Sequence, residues 1–390
     1  MSELKVNSIK GTSATSAAIT IDPSNGTCAV PSIPGRNLVI NGNMNVAQRG
    51  VTSTSDGIHT VDRFSCSYGG EDEAPTQEQV DVAAGTTPYT LGFRKAFKIT
   101  NGNNTGGAGV SDYQRILYNF EAQDIACSGW NFKSSSSYLT LSYWIKASVA
   151  QNYYVSFKAS DSSTSQGYVM ETGSLTAGTW TKVTHKIPGD TDLEFDNDNG
   201  SGLTLYWWMM RGTNNTGTRA LNTWDDFATA TITPDQTTTF WTTNDATLEL
   251  TGVQLEVNSV ATDFDFRPYD DELRRCQRYY QQLGGESTHD YFFTGTADGT
   301  TTIVGAYPFP VKMRTTPSYS YSAFADIQLY DLGGGADRGA ATGSALIATV
   351  SSTNWAYVTF TGMSATTAGV THLIRGDNTA NARIKFSAEL

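Results

Sequence analysis

The chain of 390 residues is long enough for two or three domains, and its net charge of −12 disfavours partners such as nucleic acid or an anionic membrane surface. Charged residues reach only 16%, and the balance is Thr, Ser, Asn and Gly with 19 Tyr, 17 Phe and 8 Trp. That mixture is poor in helix formers, supplies enough aromatic surface to exclude disorder, and suits short strands joined by polar turns.

Residues 1–35 read as a separate polar segment. Lys5-Val6-Asn7-Ser8-Ile9 and Ala18-Ile19-Thr20-Ile21 are short β-prone pieces among Ser, Thr and Gly, and Pro31, Pro34 and Gly35 punctuate the boundary. A segment this thin buries no core of its own, so it is expected to pair with other chains or dock on a partner. Met1-Ser2-Glu3-Leu4-Lys5 lacks an apolar signal core, and no later stretch approaches ~18 apolar residues. Neither export by a signal peptide nor membrane insertion is expected.

From 36 to 269 the pattern is strand, turn, strand. Leu139, Leu141, Tyr143 and Ile145 alternate with Thr140, Ser142, Trp144 and Lys146; Tyr153, Val155 and Phe157 form the inner face of the next strand. In Leu203-Thr204-Leu205-Tyr206-Trp207-Trp208-Met209-Met210 the second half is apolar on both faces, which predicts a central strand covered on both sides. Thr247–Val257 changes phase near Gly252, which predicts a bulge. Strands at this spacing, with turns such as Asn101-Gly102 and Asn199-Gly200, point to an all-β, jelly-roll-like β-sandwich.

Asp270 to Leu283 reads as the one helix, with acids in its first turn, bases after them, and Leu273, Cys276, Tyr280 and Leu283 on one face before Gly284-Gly285. Residues 270–285 are therefore expected to be a connecting helix, also suited to self-association. Residues 286–390 return to strands, enough for a small C-terminal β-sandwich.

Candidate chemistry is sparse. Cys28, Cys66, Cys127 and Cys276 are too widely spaced for a zinc site or a disulfide scaffold and read as free thiols made in a reducing cytoplasm. His59, His185, His289 and His372 fit no nucleophile-base arrangement, so no catalytic residue is assigned and the chain is expected not to be an enzyme. Asp196-Asn197-Asp198-Asn199-Gly200 reads as a hairpin turn, with a calcium loop at Asp196 and Asp198 as the alternative; no cofactor or metal is assigned. Arg375-Gly376-Asp377 reads as turn chemistry. Trp144, Tyr154 and Trp208 are outward aromatics beside polar neighbours. They are the candidate carbohydrate-binding residues, since sugars stack on such rings; the alternative is burial against another chain or domain.

Two motif groups bracket the central region. Arg36-Asn37-Leu38-Val39-Ile40-Asn41-Gly42-Asn43-Met44-Asn45-Val46-Ala47-Gln48-Arg49-Gly50 and Val61-Asp62-Arg63-Phe64 open it. Leu250–Val257, Phe264-Asp265-Phe266-Arg267-Pro268-Tyr269 and Cys276-Gln277-Arg278-Tyr279-Tyr280 close it. Together they resemble the ends of a sandwich module of bacteriophage tail-fibre and receptor-binding proteins. Met1–Ile9 resembles virion-proximal N-termini of fibres of marine and cyanobacterial phages; Phe309–Pro317 and Ala388-Glu389-Leu390 also recur in such proteins. The resemblance departs at Asp265-Phe266, where a histidine would be expected nearby, and in the lack of a collagen-like or coiled-coil shaft.

The resemblance implies a virion protein made in the host cytoplasm: a homotrimer, its N-terminal segment trimerising and held by phage tail, adaptor or nozzle proteins. The expected function is a tail fibre or receptor-binding protein attaching to host surface polysaccharide. The alternatives are a capsid- or tail-nozzle-attached structural protein without receptor role, and a polysaccharide depolymerase of the tailspike kind.

Overall fold

The computed structural model describes residues 35–330, 352–362 and 366–390 in full. Of the remainder it describes the backbone of strands Ser8–Ile9, Ile19–Ile21, Cys28–Ala29, Asp337–Ala340 and Ala345–Thr349, and the end of Ile327–Asp331. The three N-terminal strands pair antiparallel in one small sheet. The side chain of Cys28 lies outside the described residues; Cys66, Cys127 and Cys276 are free thiols.

The fold is all-β. Two antiparallel six-stranded sheets form a jelly-roll-like sandwich. The front sheet runs Trp224–Asp226, Gln166–Ser174, Asn152–Ala159, Ser201–Arg211, Tyr113–Glu121, Ser65–Gly69. The back sheet runs Thr181–Pro188, Tyr138–Ala147, Thr247–Val257, Lys95–Thr100, Thr76–Asp81, Thr52–Ser53. Period-two alternation supplies both inner faces: Leu139, Leu141, Tyr143 and Ile145 meet Tyr153, Val155, Phe157, Leu205 and Trp207 in one core. The expected bulge forms. The pairing of Thr247–Val257 with Tyr138–Ala147 slips between Thr251 and Gln254, and Gly252 takes φ 62°.

The double-sided strand Ser201–Arg211 is covered by its own chain. Trp207 faces the core, while Trp208 on the outside stacks on Tyr206 at 5.2 Å between centroids and lies under the guanidiniums of Arg115 and Arg211. Gln236 closes the edge by donating to the Trp208 carbonyl at 3.3 Å.

The expected helix covers Tyr269–Gln277 and stops short of Leu283, and it is not the one helix, since short ones also form at Thr87–Thr90, Ala122–Ala126 and Thr239–Thr242. Tyr280–Leu283 is instead a strand, paired with Ile384–Ser387. The spacing of Tyr280 and Leu283 fits either state, and hydrogen bonding to a strand about a hundred residues later overrides the local helical pattern. Tyr280–Leu283, Ile384–Ser387 and Ser318–Tyr321 make a three-stranded sheet that packs with a seven-stranded one around Phe292, Ile303, Val358, Phe360 and Phe386, forming the C-terminal sandwich. Arg375-Gly376 ends the strand Thr371–Gly376 within it.

The two motif groups that bracket the central region are one polar joint. The Asn37 side chain donates to the Val253 carbonyl at 3.1 Å and accepts from the Leu255 amide at 3.0 Å. Asn41, in the left-handed region at φ 62°, donates its side-chain amide to the carbonyls of Val46 and Asp62, and its backbone N–H goes to Glu272 at 2.5 Å. Arg267 donates to the carbonyls of Asn37 and Val39. Gly42 lies so close to the bulged strand that a Cβ would stand 2.1 Å from the Val253 oxygen. The joint also holds the C-terminal sandwich. Arg63, fully buried, donates to Glu389 at 2.5 Å and to the Asn119 carbonyl at 2.6 Å while its guanidinium lies 3.4 Å from the Tyr279 ring centre.

Candidate functional site

Trp144 projects from the outer face of the back sheet, opposite Lys182 on one side and Thr251 on the other. The bulge at Gly252 sets the floor there. A Cβ at this position would come within 2.7 Å of Phe93 and 3.2 Å of Trp144, so the missing side chain lets the two rings approach. Phe264 packs edge-on against Phe93 at 5.0 Å, and Phe266 against Phe264 at 4.8 Å. The pocket so formed measures 320 Å³ and carries Ser142, Lys182, Thr262 and Asp263 on its rim. This volume lies at the lower end of the usual range for small-molecule sites.

The chemistry of this pocket is mixed in a specific way. Phe266 is 47% exposed and Leu91 is 52% exposed, so apolar surface is open to solvent around the half-buried Trp144 ring. Lys182 offers an ammonium and Asp263 a carboxylate, both on exposed side chains without an ion-pair partner among the described residues. The backbone behind Asp263 is fixed, because its carbonyl accepts from Arg36 and from Gln254. Aromatic faces beside separated donors and acceptors suit a ligand with apolar C–H faces and hydroxyl edges.

Tyr154 and Trp208 lie elsewhere. They face each other in register on the outer side of the front sheet, with the whole sandwich between them and Trp144, so the three aromatics form no single site. Trp208 is 1% exposed, its indole N–H donates to Ser156 at 2.9 Å, and Tyr206, Arg115 and Arg211 close over its ring. It has no open face for a sugar. Tyr154 is half-buried beside it. Phe93, Phe264 and Phe266 are the pocket residues that sequence alone did not assign. The alternation of Phe264 and Phe266 around Asp265 was the available signal.

His185 and the acidic turn at Asp196 and Asp198 have structural settings. His185 sits against Tyr143 at 3.2 Å, and burial pushes its pKa down to about 4, so it is neutral near pH 7. Asp198 accepts the Gly200 amide at 2.8 Å, the geometry of a turn, and Asp161 ties that turn to a distant loop by accepting the Asp196 amide at 3.1 Å. Among the described residues no three His, Cys, Asp or Glu side chains gather closely enough to hold a metal ion.

No protein-family model matches the chain, and no curated protein matches it. Solved structures do. The chain is similar to the enzymatically active domain of tailspike protein 4 from bacteriophage CBA120, at 11% identity and TM-score 0.30, over 57% of this chain and 22% of that one. It thus spans less than a quarter of the tailspike chain. It is also similar to the CBM22-2 xylan-binding domain of Paenibacillus barcinonensis Xyn10C, at 13% identity and TM-score 0.29, over 57% of this chain and 99% of that one. A third match is the module TmCBM61 in complex with β-1,4-galactotriose, at 9% identity and TM-score 0.25, covering 57% of this chain and all of that one.

Proposed function

We propose that the protein is a glycan-binding appendage of a bacteriophage virion: a non-enzymatic, trimeric tail fibre or receptor-binding protein that contacts host surface polysaccharide through the Trp144 pocket. The observation that carries the binding half is the pocket itself, in which aromatic rings line 320 Å³ beside an ammonium and a carboxylate that have no ion-pair partner among the described residues. The virion half rests on the N-terminal and bracketing motifs and their resemblance to phage fibres. Three copies raise the effective concentration of the second and third pockets once the first is engaged, so weak single contacts suffice.

The expected result for the virion role is threefold. Light scattering of the purified chain gives three times 42.1 kDa. Labelled antibody marks the tail of intact particles. Free protein added to host cells lowers particle adsorption. Labelling of the head shell with adsorption unchanged would replace this reading with a capsid-attached structural role, and release of reducing ends from host polysaccharide would replace it with a depolymerase.

A further inference from the structure

A second cleft lies between the two sandwiches, away from Trp144. The three-stranded sheet turns one face toward the outer face of the front sheet, and 440 Å³ remain between them. Leu117 and Asn119 line one side; Tyr280, Ser320, Lys385 and Ser387 line the other. The strand Ile384–Ser387 explains the second set. Ile384 and Phe386 are fully buried in the C-terminal core, so Lys385 and Ser387 point the opposite way, into the cleft. Ser320 stands beside Lys385 in register, and Tyr280 beside Ser387.

Arg49, Glu389 and Leu390 also line this cleft, and each is engaged: the Leu390 oxygen accepts from Asn119 at 3.1 Å. One oxygen of Glu389 lies 2.9 Å from Arg49 and the other 2.5 Å from Arg63, while Asp62 lies 3.2 Å from Arg49. Glu389 is therefore held by two arginines and Asp62 by one. Lys385, by contrast, has no carboxylate within bonding distance among the described residues. Burial, and after it the charges of Arg383 and Arg49, hold its pKa below the ordinary lysine value. The hydroxyls of Ser320 and Ser387 make no hydrogen bond to the described residues, and the ring of Tyr280 is held flat by the Arg49 guanidinium at 3.6 Å.

We infer that this cleft binds a single carboxylate-bearing sugar, a hexuronate, with its carboxylate on Lys385 and its ring hydroxyls on Ser320 and Ser387. An ammonium is a compact donor that takes one carboxylate oxygen, and two free hydroxyls on the same face match a polyol rather than a bare anion. The sugar half of this assignment rests on the glycan reading above; the anion half stands on the cleft alone.

Saturation-transfer NMR on the full chain tests it, with sodium glucuronate, glucose, sodium acetate and inorganic phosphate as probes. With every variant made in the Trp144→Ala background, which removes the first pocket's contribution, glucuronate is expected still to bind, Lys385→Arg to retain it, and Lys385→Gln to weaken it at least tenfold with the unfolding midpoint unchanged. Equal glucuronate binding by Lys385→Gln overturns the assignment, as does absence of any glucuronate signal. Displacement of glucuronate by acetate or phosphate as readily as by more glucuronate would show a plain anion site and overturn the sugar half. Because Trp144→Ala is the background, failure here leaves the Trp144 pocket untouched, and failure of that pocket leaves this result standing.

Discussion

Arg63→Met is expected to destabilise the protein by about 3–5 kcal/mol, read as a lower urea midpoint at unchanged slope. The side chain is 2% exposed and binds three things at once: Glu389, the Asn119 carbonyl and the face of Tyr279. Methionine replaces the volume of the stem but none of these contacts. It leaves Glu389, itself only 15% exposed, with Arg49 as its remaining partner. The loss falls on the contact between the two sandwiches, because Arg63 belongs to the first and Glu389 follows the last strand of the second. If the cost comes from the stranded carboxylate, Arg63→Met combined with Glu389→Gln should recover part of it, and the cycle should show coupling above about 0.5 kcal/mol. Additive losses would assign the effect to packing of the guanidinium on Tyr279 instead.

Gly42→Ala is the second large effect, with an expected cost of about 3 kcal/mol, at the upper end for overpacking. Its added methyl would meet the Val253 carbonyl oxygen at 2.1 Å, and that oxygen is backbone on the bulged strand. It cannot swing aside, because it also accepts from the Asn37 side chain while the Val253 amide donates to the Gly42 carbonyl at 2.9 Å. Relief would have to pull the opening segment away from the strand and break both bonds. Val253 follows Gly252, so the same displacement should reach the floor of the Trp144 pocket. Tryptophan fluorescence of the folded variant is expected to shift, whereas Gly85→Ala, in an open turn at φ 84° with nothing near its Cβ, should leave it unchanged.

Much of this architecture was legible from alternation. Leu139 to Ile145 and Tyr153 to Phe157 have inner faces that period two alone assigns, and the phase change at Gly252 marks the bulge. Where local pattern and distant pairing disagree, alternation is silent. Tyr280 and Leu283 sit at helical spacing from Cys276, yet Ile384–Ser387 claims them for a sheet. Arg278 and Tyr279 both turn toward Glu121, which Arg278 grips through two bonds of 2.7 Å, and nothing in the sequence links positions so far apart.

The site divides the same way. Trp144 was placed outward by its strand, and it is there. The Phe93, Phe264 and Phe266 rings that make a pocket of it come from loops, whose paths periodicity does not describe. Trp208 was also placed outward correctly, but its neighbours Tyr206, Arg115 and Arg211 cover it. An outward direction is not exposure when the adjoining strand carries long cationic side chains that can lie over a ring.

Titration calorimetry of purified host surface polysaccharide into the wild type and Trp144→Ala tests the glycan-binding pocket most directly. The wild type should bind and Trp144→Ala should lose at least thirtyfold in affinity, about 2 kcal/mol per site, with Tyr154→Ala close to wild type. Equal binding by the wild type and Trp144→Ala, or loss with Tyr154→Ala alone, would contradict it.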